Sequence, residues 1–234
     1  MKTNLNRILY LIAALGLAAG MFGCSGGSGS GDDMATYEVK LTNLTANQPL
    51  SPPAAILHGE GYSAWQFGAA VSDGLEQLAE SGSPVAFLAE AGTSTVVRDS
   101  QAGSGVVLPG DSAAVTLAGA SADARLTLAT MLVNTNDGFT GIDNQSLANL
   151  QPGQTLTLDV RTYDAGTEAN SETLASVPGP AAGGEGFNLI RDDRGFVTVH
   201  SGVISADDGL LSSVLNESHR IQNPAARLVI TRIQ

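Results

Sequence analysis

The sequence predicts an all-β protein, an antiparallel sandwich or barrel, on three observations. Apolar residues recur at every second position in several short runs, Pro/Gly turns separate those runs, and no internal repeat of roughly 20–50 residues is present. Tyr37, Val39 and Leu41 alternate with Glu38 and Lys40. Val115 and Leu117 follow the turn Pro109-Gly110-Asp111. Leu126, Leu128 and Leu132 lie on one side of a run over 125–133. Leu156, Leu158 and Val160 alternate with Thr157, Asp159 and Arg161 just after Pro152-Gly153. Val197 with Val199, and Leu228 with Ile230, complete the set. Side chains alternate faces along a strand, so each run can turn one face to a core. One stretch departs from period two. Ser72 caps a helix that carries Leu75, Leu78 and Ala79 and ends near Gly82; Ser83 and Pro84 form the N-cap and first position of a second, with Phe87, Leu88 and Ala91 following. These helices are expected to cover one end of the sandwich, and residues 206–216 form a candidate third.

Composition narrows the function. A chain of 234 residues holds one domain or two small ones, and 43% hydrophobic with 15% charged residues suits a packed core. The 23 acidic against 11 basic side chains give a net charge of -12, which excludes a nucleic-acid binder built on clustered Lys and Arg. The single cysteine excludes an internal disulfide and any site needing two thiolates. Gly-x-Ser-x-Gly, His-Glu-x-x-His, P-loop and Gly-x-Gly-x-x-Gly patterns are all missing. His58, His200 and His219 are far apart and are expected in surface or hydrogen-bonded structural roles.

Residues 1–23 read as an export signal. Lys2 and Arg7 precede the apolar run ILYLIAALGLAAGMF, which is short for a membrane-spanning helix of about 20 residues. The run stops at Gly23-Cys24, where the sequence resembles a bacterial lipoprotein lipobox. That resemblance implies cleavage before Cys24 and its lipidation. Residues 24–34, rich in Gly and Ser, are then a flexible tether to a domain over 35–234. Such a protein is exported and lipid-anchored at the cell envelope, on the outer membrane or cell surface, facing the periplasm or the exterior. Its membrane contact is through the anchor alone.

Two acidic stretches carry the candidate chemistry. Asn134-Thr135-Asn136-Asp137-Gly138 and Asp164-Ala165-Gly166-Thr167-Glu168 each follow directly on a strand. If the strands run to the same end of the fold, the carboxylates crowd together, which is unfavourable without a cation. A hard cation with many oxygen ligands resolves the conflict, and calcium is the usual one outside the cytoplasm. From pattern alone, ordinary Asp-Gly turns explain the same residues. Asp143 and Asn136 are further oxygen donors within reach in sequence. Tyr62, Trp65 and Phe67 suit core or end-cap packing, Glu185-Gly186-Phe187-Asn188 suits a turn, and Arg191-Asp192-Asp193-Arg194 a solvated turn with self-compensating charge.

At these stretches the chain resembles a known family. The segment Met131-Leu132-Val133 through Asp137, Phe139, Gly141 and Ile142 is similar to the first signature of the spondin N-terminal domain, and Tyr163-Asp164-Ala165-Gly166-Thr167-Glu168 to its second. Gly74-Leu75-Glu76-Gln77-Leu78-Ala79-Glu80, Pro178-Gly179-Pro180 and 195–202 resemble the bacterial branch. The resemblance implies an antiparallel, C2-like β-sandwich with short helices in its connections. It also implies one Ca2+ held by Asp137, Asp164 and Glu168, the last at a position where animal members typically carry Asp. The function expected is a non-enzymatic binding or adhesion module whose partner is a glycan, a matrix-like polymer or an envelope protein. The alternatives are a metal-dependent hydrolase at the envelope and a C2-like calcium-dependent membrane-binding domain.

Overall fold

The computed structural model describes residues 34–234; the signal segment, Cys24 and all of the tether before Met34 lie outside the described residues. In chain order the elements are β1 (Met34–Asn43), β2 (Ala54–His58), α1 (Asp73–Ser81), α2 (Val85–Ala91), β3 (Val97–Ala102), β4 (Ser112–Ala120), β5 (Arg125–Met131), β6 (Gly138–Ser146), β7 (Thr155–Val160), β8 (Thr162–Asp164), β9 (Thr198–Val199) and β10 (Ala226–Arg232). They form a four-stranded sheet, β4-β1-β10-β7, and a six-stranded sheet, β3-β2-β5-β6-β8-β9. Every pairing is antiparallel. Two stacked sheets make the fold a sandwich rather than a closed barrel. At Arg161 the chain steps from β7 in one sheet to β8 in the other, a corner of the sandwich.

The core between the sheets is the one the alternation predicts. Tyr37, Val39 and Leu41 of β1, Leu117 of β4, Val160 of β7 and Leu228 with Ile230 of β10 face Leu57, Leu126 and Leu128 across it. The outer face of the six-stranded sheet is apolar as well. Ala54, Ile56, Ala129 and Phe139 point outward to Leu75, Leu78 and Ala79 of α1, Phe87 and Ala91 of α2, and Trp65. The helices therefore lie on this face rather than over an end of the sandwich, where the sequence places them. The reason is β2: all five of its residues are buried, so the strand has no solvent side for alternation to reveal.

The helix ends follow local chemistry. Ser72 accepts from the Leu75 amide at 3.3 Å, and Gly82 closes α1 in the left-handed region at φ 72°. The second helix starts one residue later than its sequence suggests: Pro84, not Ser83, occupies the N-cap position, with no side-chain cap bond. Residues 206–216 do not form an α-helix; only single 3-10 turns occur, at Ala206–Asp208 and Glu217–His219. Trp65 is buried against Phe139 and Tyr163, with ring centroids 5.2 and 5.4 Å away, whereas Phe67 stays half exposed. His58 is buried; its Nδ1 donates to the Gly59 carbonyl at 2.8 Å, its Nε2 lies 3.0 Å from the Thr127 hydroxyl, and burial pushes its pKa down. His219 accepts from the Asn216 amide at 3.1 Å through Nδ1.

Candidate cation site

Sheet pairing brings the two acidic stretches together. Beyond β5 the chain turns through 134–137 and re-enters the sheet as β6, with the Leu132 amide bonded to the Gly138 carbonyl at 2.8 Å. Thr135 fixes this turn: its hydroxyl donates to the Leu132 carbonyl (2.7 Å) and accepts from the Gly138 amide (2.9 Å). Gln48 holds the other side, accepting from the Asn134 amide at 3.1 Å and donating to its carbonyl at 3.2 Å. Strand β8 then pairs with β6, so that Gly138 lies opposite Asp164. The Ala165 amide donates to the Asp137 carbonyl at 3.3 Å.

Around this ladder the carboxylates are sequestered. Asp137 is 0%, Asp164 1% and Glu168 4% exposed. One oxygen of Asp137, Oδ2, accepts from the amides of Thr167 (2.8 Å) and Glu168 (3.2 Å) and lies 3.3 Å from the Thr167 hydroxyl. Its Oδ1 has no partner, and neither oxygen of Glu168 has one. Asp164 is better served: Oδ1 accepts from the Gly166 amide (2.9 Å), Oδ2 from the Asn170 side chain (2.8 Å), and Arg194 stands 3.9 Å from Oδ2. Burial, and then the charge of Asp164, push the Asp137 pKa up to about 7 against the pull of the two amides. Burial, and then the charge of Glu80, push Glu168 up to about 8.

Several neighbours were not legible as site residues. Glu80 of α1 is 1% exposed, with an unpartnered Oε1. His200 accepts from the Gly202 amide at 3.0 Å through Nδ1, which leaves its proton on the unpartnered Nε2; burial lowers its pKa, with Asp164 opposing. The run Arg191-Asp192-Asp193-Arg194 is self-compensating only in part: Arg194 pairs with Asp193 at 3.4 Å, and the remaining contacts reach outside the run. Arg191 forks onto Glu76 of α1, Asp192 accepts from the Ala169 amide at 2.8 Å, and Arg194 reaches Asp164. Asn136 accepts from the Glu172 amide at 3.2 Å and so braces the segment after Glu168. Asp143 is used elsewhere. Five residues along β6 from Gly138, it accepts from Ser63, the Ala64 amide and Thr127, and anchors the loop that carries Trp65.

Both signatures thus fold into one buried, acidic end of the second sheet. A family model, Spondin_N, matches residues 45–182, more than half of the chain and including both signatures. The chain belongs to the Spondin_N family. Membership makes it a domain of the extracellular binding and adhesion type. No curated protein matches the chain. Within this spondin domain the matched stretch contains α1, α2 and all three candidate ligands, while Arg191, Arg194, His200, β9 and β10 lie beyond it. Among the described residues no helix is long and apolar enough to cross a membrane.

Asp137 and Glu168 leave buried oxygens free to accept from a donor or a cation. A buried carboxylate oxygen without a donor is costly, and three such oxygens stand on Asp137 and Glu168. Among the described residues no group of three or more His, Cys, Asp or Glu is arranged so that it could hold a metal ion. Calcium does not need one, since its shell of six to eight oxygens also takes backbone carbonyls and waters.

Proposed function

We propose that this spondin domain is a calcium-stabilised binding module, non-enzymatic, held at the cell envelope through Cys24. The observation that carries the reading is the set of partnerless buried oxygens on Asp137, next to the rung that pairs Gly138 with Asp164, and on Glu168, whose amide donates to Asp137. Asp137 and Glu168 would hold the ion with their free oxygens. Asp164 would share its remaining lone pairs while its amide and Asn170 bonds keep it in place. When bound, the ion supplies the positive charge that lets these carboxylates stay ionised out of water. The chain's own contribution is to set the oxygens in position through the β6–β8 pairing and to shape the loops around them. A rigid, loop-rich end on a sandwich is the place from which a partner is contacted. The partner classes that suit an exported, tethered domain are a glycan, a matrix-like polymer or another envelope protein.

Calorimetric titration of the full chain with calcium chloride tests the ion. One site is expected, of the strength common in extracellular modules, with Kd about 10⁻⁴–10⁻³ M. In Asp137→Asn the heat of binding should vanish; a wild-type protein that gives no heat and no shift in melting with calcium would end the proposal. The anchor has its own test. In cells, Cys24→Ser is expected to move the protein from the membrane pellet to the soluble fraction, and an unchanged pellet would remove lipidation from the account.

A further inference from the structure

Two large apolar side chains stand in water on a stretch of chain that is fastened on both sides. Leu189 is 87% and Ile190 71% exposed. Single exposed apolar residues are ordinary; an adjacent pair on a pinned backbone is not. The pins come from α1. The Asn188 amide donates to Oε2 of Glu80 at 2.9 Å, and Arg191 forks onto Glu76, with its Nε 2.7 Å from Oε1. Glu76 and Glu80 are one turn apart on the same face of the helix, so residues 188–191 run along that face against the helix direction. Outside this strap the Glu185 amide donates to the Ala175 carbonyl at 2.7 Å and the Asp192 amide to the Thr167 carbonyl at 3.0 Å. Within it the Ile190 amide donates to Oδ1 of Asn188 at 3.0 Å. Both pinning glutamates are buried, a costly place for a carboxylate. What they hold in position is an arch that carries Leu189 and Ile190 into solvent.

Beside the arch lies a groove of about 530 Å³, lined by Asp73, Glu76, Gln77, Phe187, Leu189 and Arg191. Apolar anchors held ready next to a pocket are what concentrate binding energy at a protein interface, because little freedom is lost when they dock. The charge around them selects the occupant. Asp73, Glu185 and Asp192 are exposed, and Arg191, the one cation of the groove, is committed to Glu76 and Asp73. The single lysine among the described residues, Lys40, is on β1 in the other sheet. Such a rim repels an anionic lipid surface, and it repels a second copy of a chain with net charge -12. We propose that Leu189, Ile190 and the adjoining groove form a docking surface for a protein partner that presents apolar side chains among lysines or arginines. The proposal rests on the binding-module reading above but not on the ion. It selects a protein from the partner classes and places the contact at α1 and the strap that runs along it.

The probe is a labelled synthetic peptide of alternating leucine and lysine, titrated with the full chain and read by fluorescence anisotropy. A peptide of alternating leucine and aspartate is the control. The wild type is expected to bind the leucine–lysine peptide, more weakly as salt rises, and to bind the control less. The double variant Leu189→Ser, Ile190→Ser keeps every charge and should melt with the wild type, since both side chains are exposed. It is nevertheless expected to bind the leucine–lysine peptide about tenfold more weakly or worse, through the apolar burial it gives up. Asp73→Asn should weaken binding severalfold and flatten its salt dependence. No binding by the wild type, equal binding by wild type and double variant, or a preference for the control would each overturn the proposal. Sedimentation and flotation with phosphatidylglycerol vesicles test the other occupants: self-association or flotation that is lost in the double variant would put a second copy or a lipid on this surface instead. The double variant should keep the wild-type heat of calcium binding. Failed peptide binding with that heat intact ends only the docking surface, and absent heat with peptide binding intact ends only the ion.

Discussion

Freed of divalent ions, the protein is expected to lose stability steadily between about pH 5 and pH 8, and calcium is expected to restore part of it. Asp137 and Glu168 have folded-state pKa values of about 7 and about 8, raised by burial and by neighbouring carboxylates. In the unfolded chain such groups titrate near 4. Between those limits the native state holds protons that the unfolded state has released, so stability falls as pH rises. The contribution is fully present below pH 4 and gone above pH 8. A tenfold difference in proton affinity between the folded and unfolded chain is worth about 1.4 kcal/mol, and each of the two groups differs by roughly three such steps, so each accounts for a loss of about 4 kcal/mol at most. Calcium binds the ionised carboxylates and competes with those protons, so its benefit should be smallest at pH 5 and largest at pH 8. At 100-fold saturation it adds about 2.7 kcal/mol, roughly 5–10 °C in melting temperature for a domain of this size. Thermal melts at three pH values, in chelator and in calcium, read this directly. Glu172 supplies an internal control. Its amide touches Asn136, but its carboxylate has partners of its own, the Ile204 amide (2.8 Å) and the Ser213 hydroxyl (3.3 Å), and burial pushes its pKa up to about 7. Its share of the pH dependence should persist in calcium and in Asp137→Asn. Melting curves in chelator that are flat from pH 5 to 8 would contradict the burial of these charges.

Gly166→Ala is expected to be among the most damaging single substitutions in the domain. Gly166 sits between Asp164 and Glu168 with φ at 71°, where an L side chain is strained by roughly 1–2 kcal/mol. A Cβ there would also stand 2.4 Å from the carbonyl oxygen and 2.9 Å from the amide nitrogen of Phe196, both backbone atoms that cannot swing aside. The Gly195 amide donates to the Gly166 carbonyl at 2.7 Å, so the two segments cannot separate without losing that bond. A loss of about 3 kcal/mol or more is expected, a fall of roughly 6–12 °C in melting temperature, together with weakened calcium binding. Gly153→Ala isolates the backbone share. Gly153 has a similar φ of 81° and open space around its missing Cβ, so only about 1 kcal/mol should be lost. Equal melting temperatures for the two variants would show that the contact with Phe196 does not matter.

The sandwich was readable because β1, β4, β7 and β10 each have a wet face and a dry one, which writes period two into the chain. The six-stranded sheet was harder. β2 is buried on both sides, and β6 begins with residues that read as part of a loop signature, so neither showed alternation. The acidic residues Asp137, Asp164 and Glu168 could be picked out because side-chain oxygens beside glycine at a strand end are uncommon neighbours, and the family signatures singled out the same positions. What surrounds them could not be seen in that way. Glu80 lies 57 residues before Asp137 on a helix, where one more glutamate attracts no notice. Arg191 and Arg194 look neutralised by the aspartates between them, yet the chain bends so that Arg191 serves Glu76, and Arg194, while paired with Asp193, also reaches Asp164. Pairings set by tertiary proximity leave no local period to detect.

The six-stranded sheet has no face to spare. One side is committed to its partner sheet and the other to α1, α2 and Trp65. Peeling away the helical layer would bare Ile56 and Phe139 to water and invite clumping between molecules. The domain should therefore come apart in one step, with a calorimetric enthalpy equal to the van't Hoff value. A pull applied by a bound partner at the acidic end would then be resisted by the whole body rather than by the segment it grips.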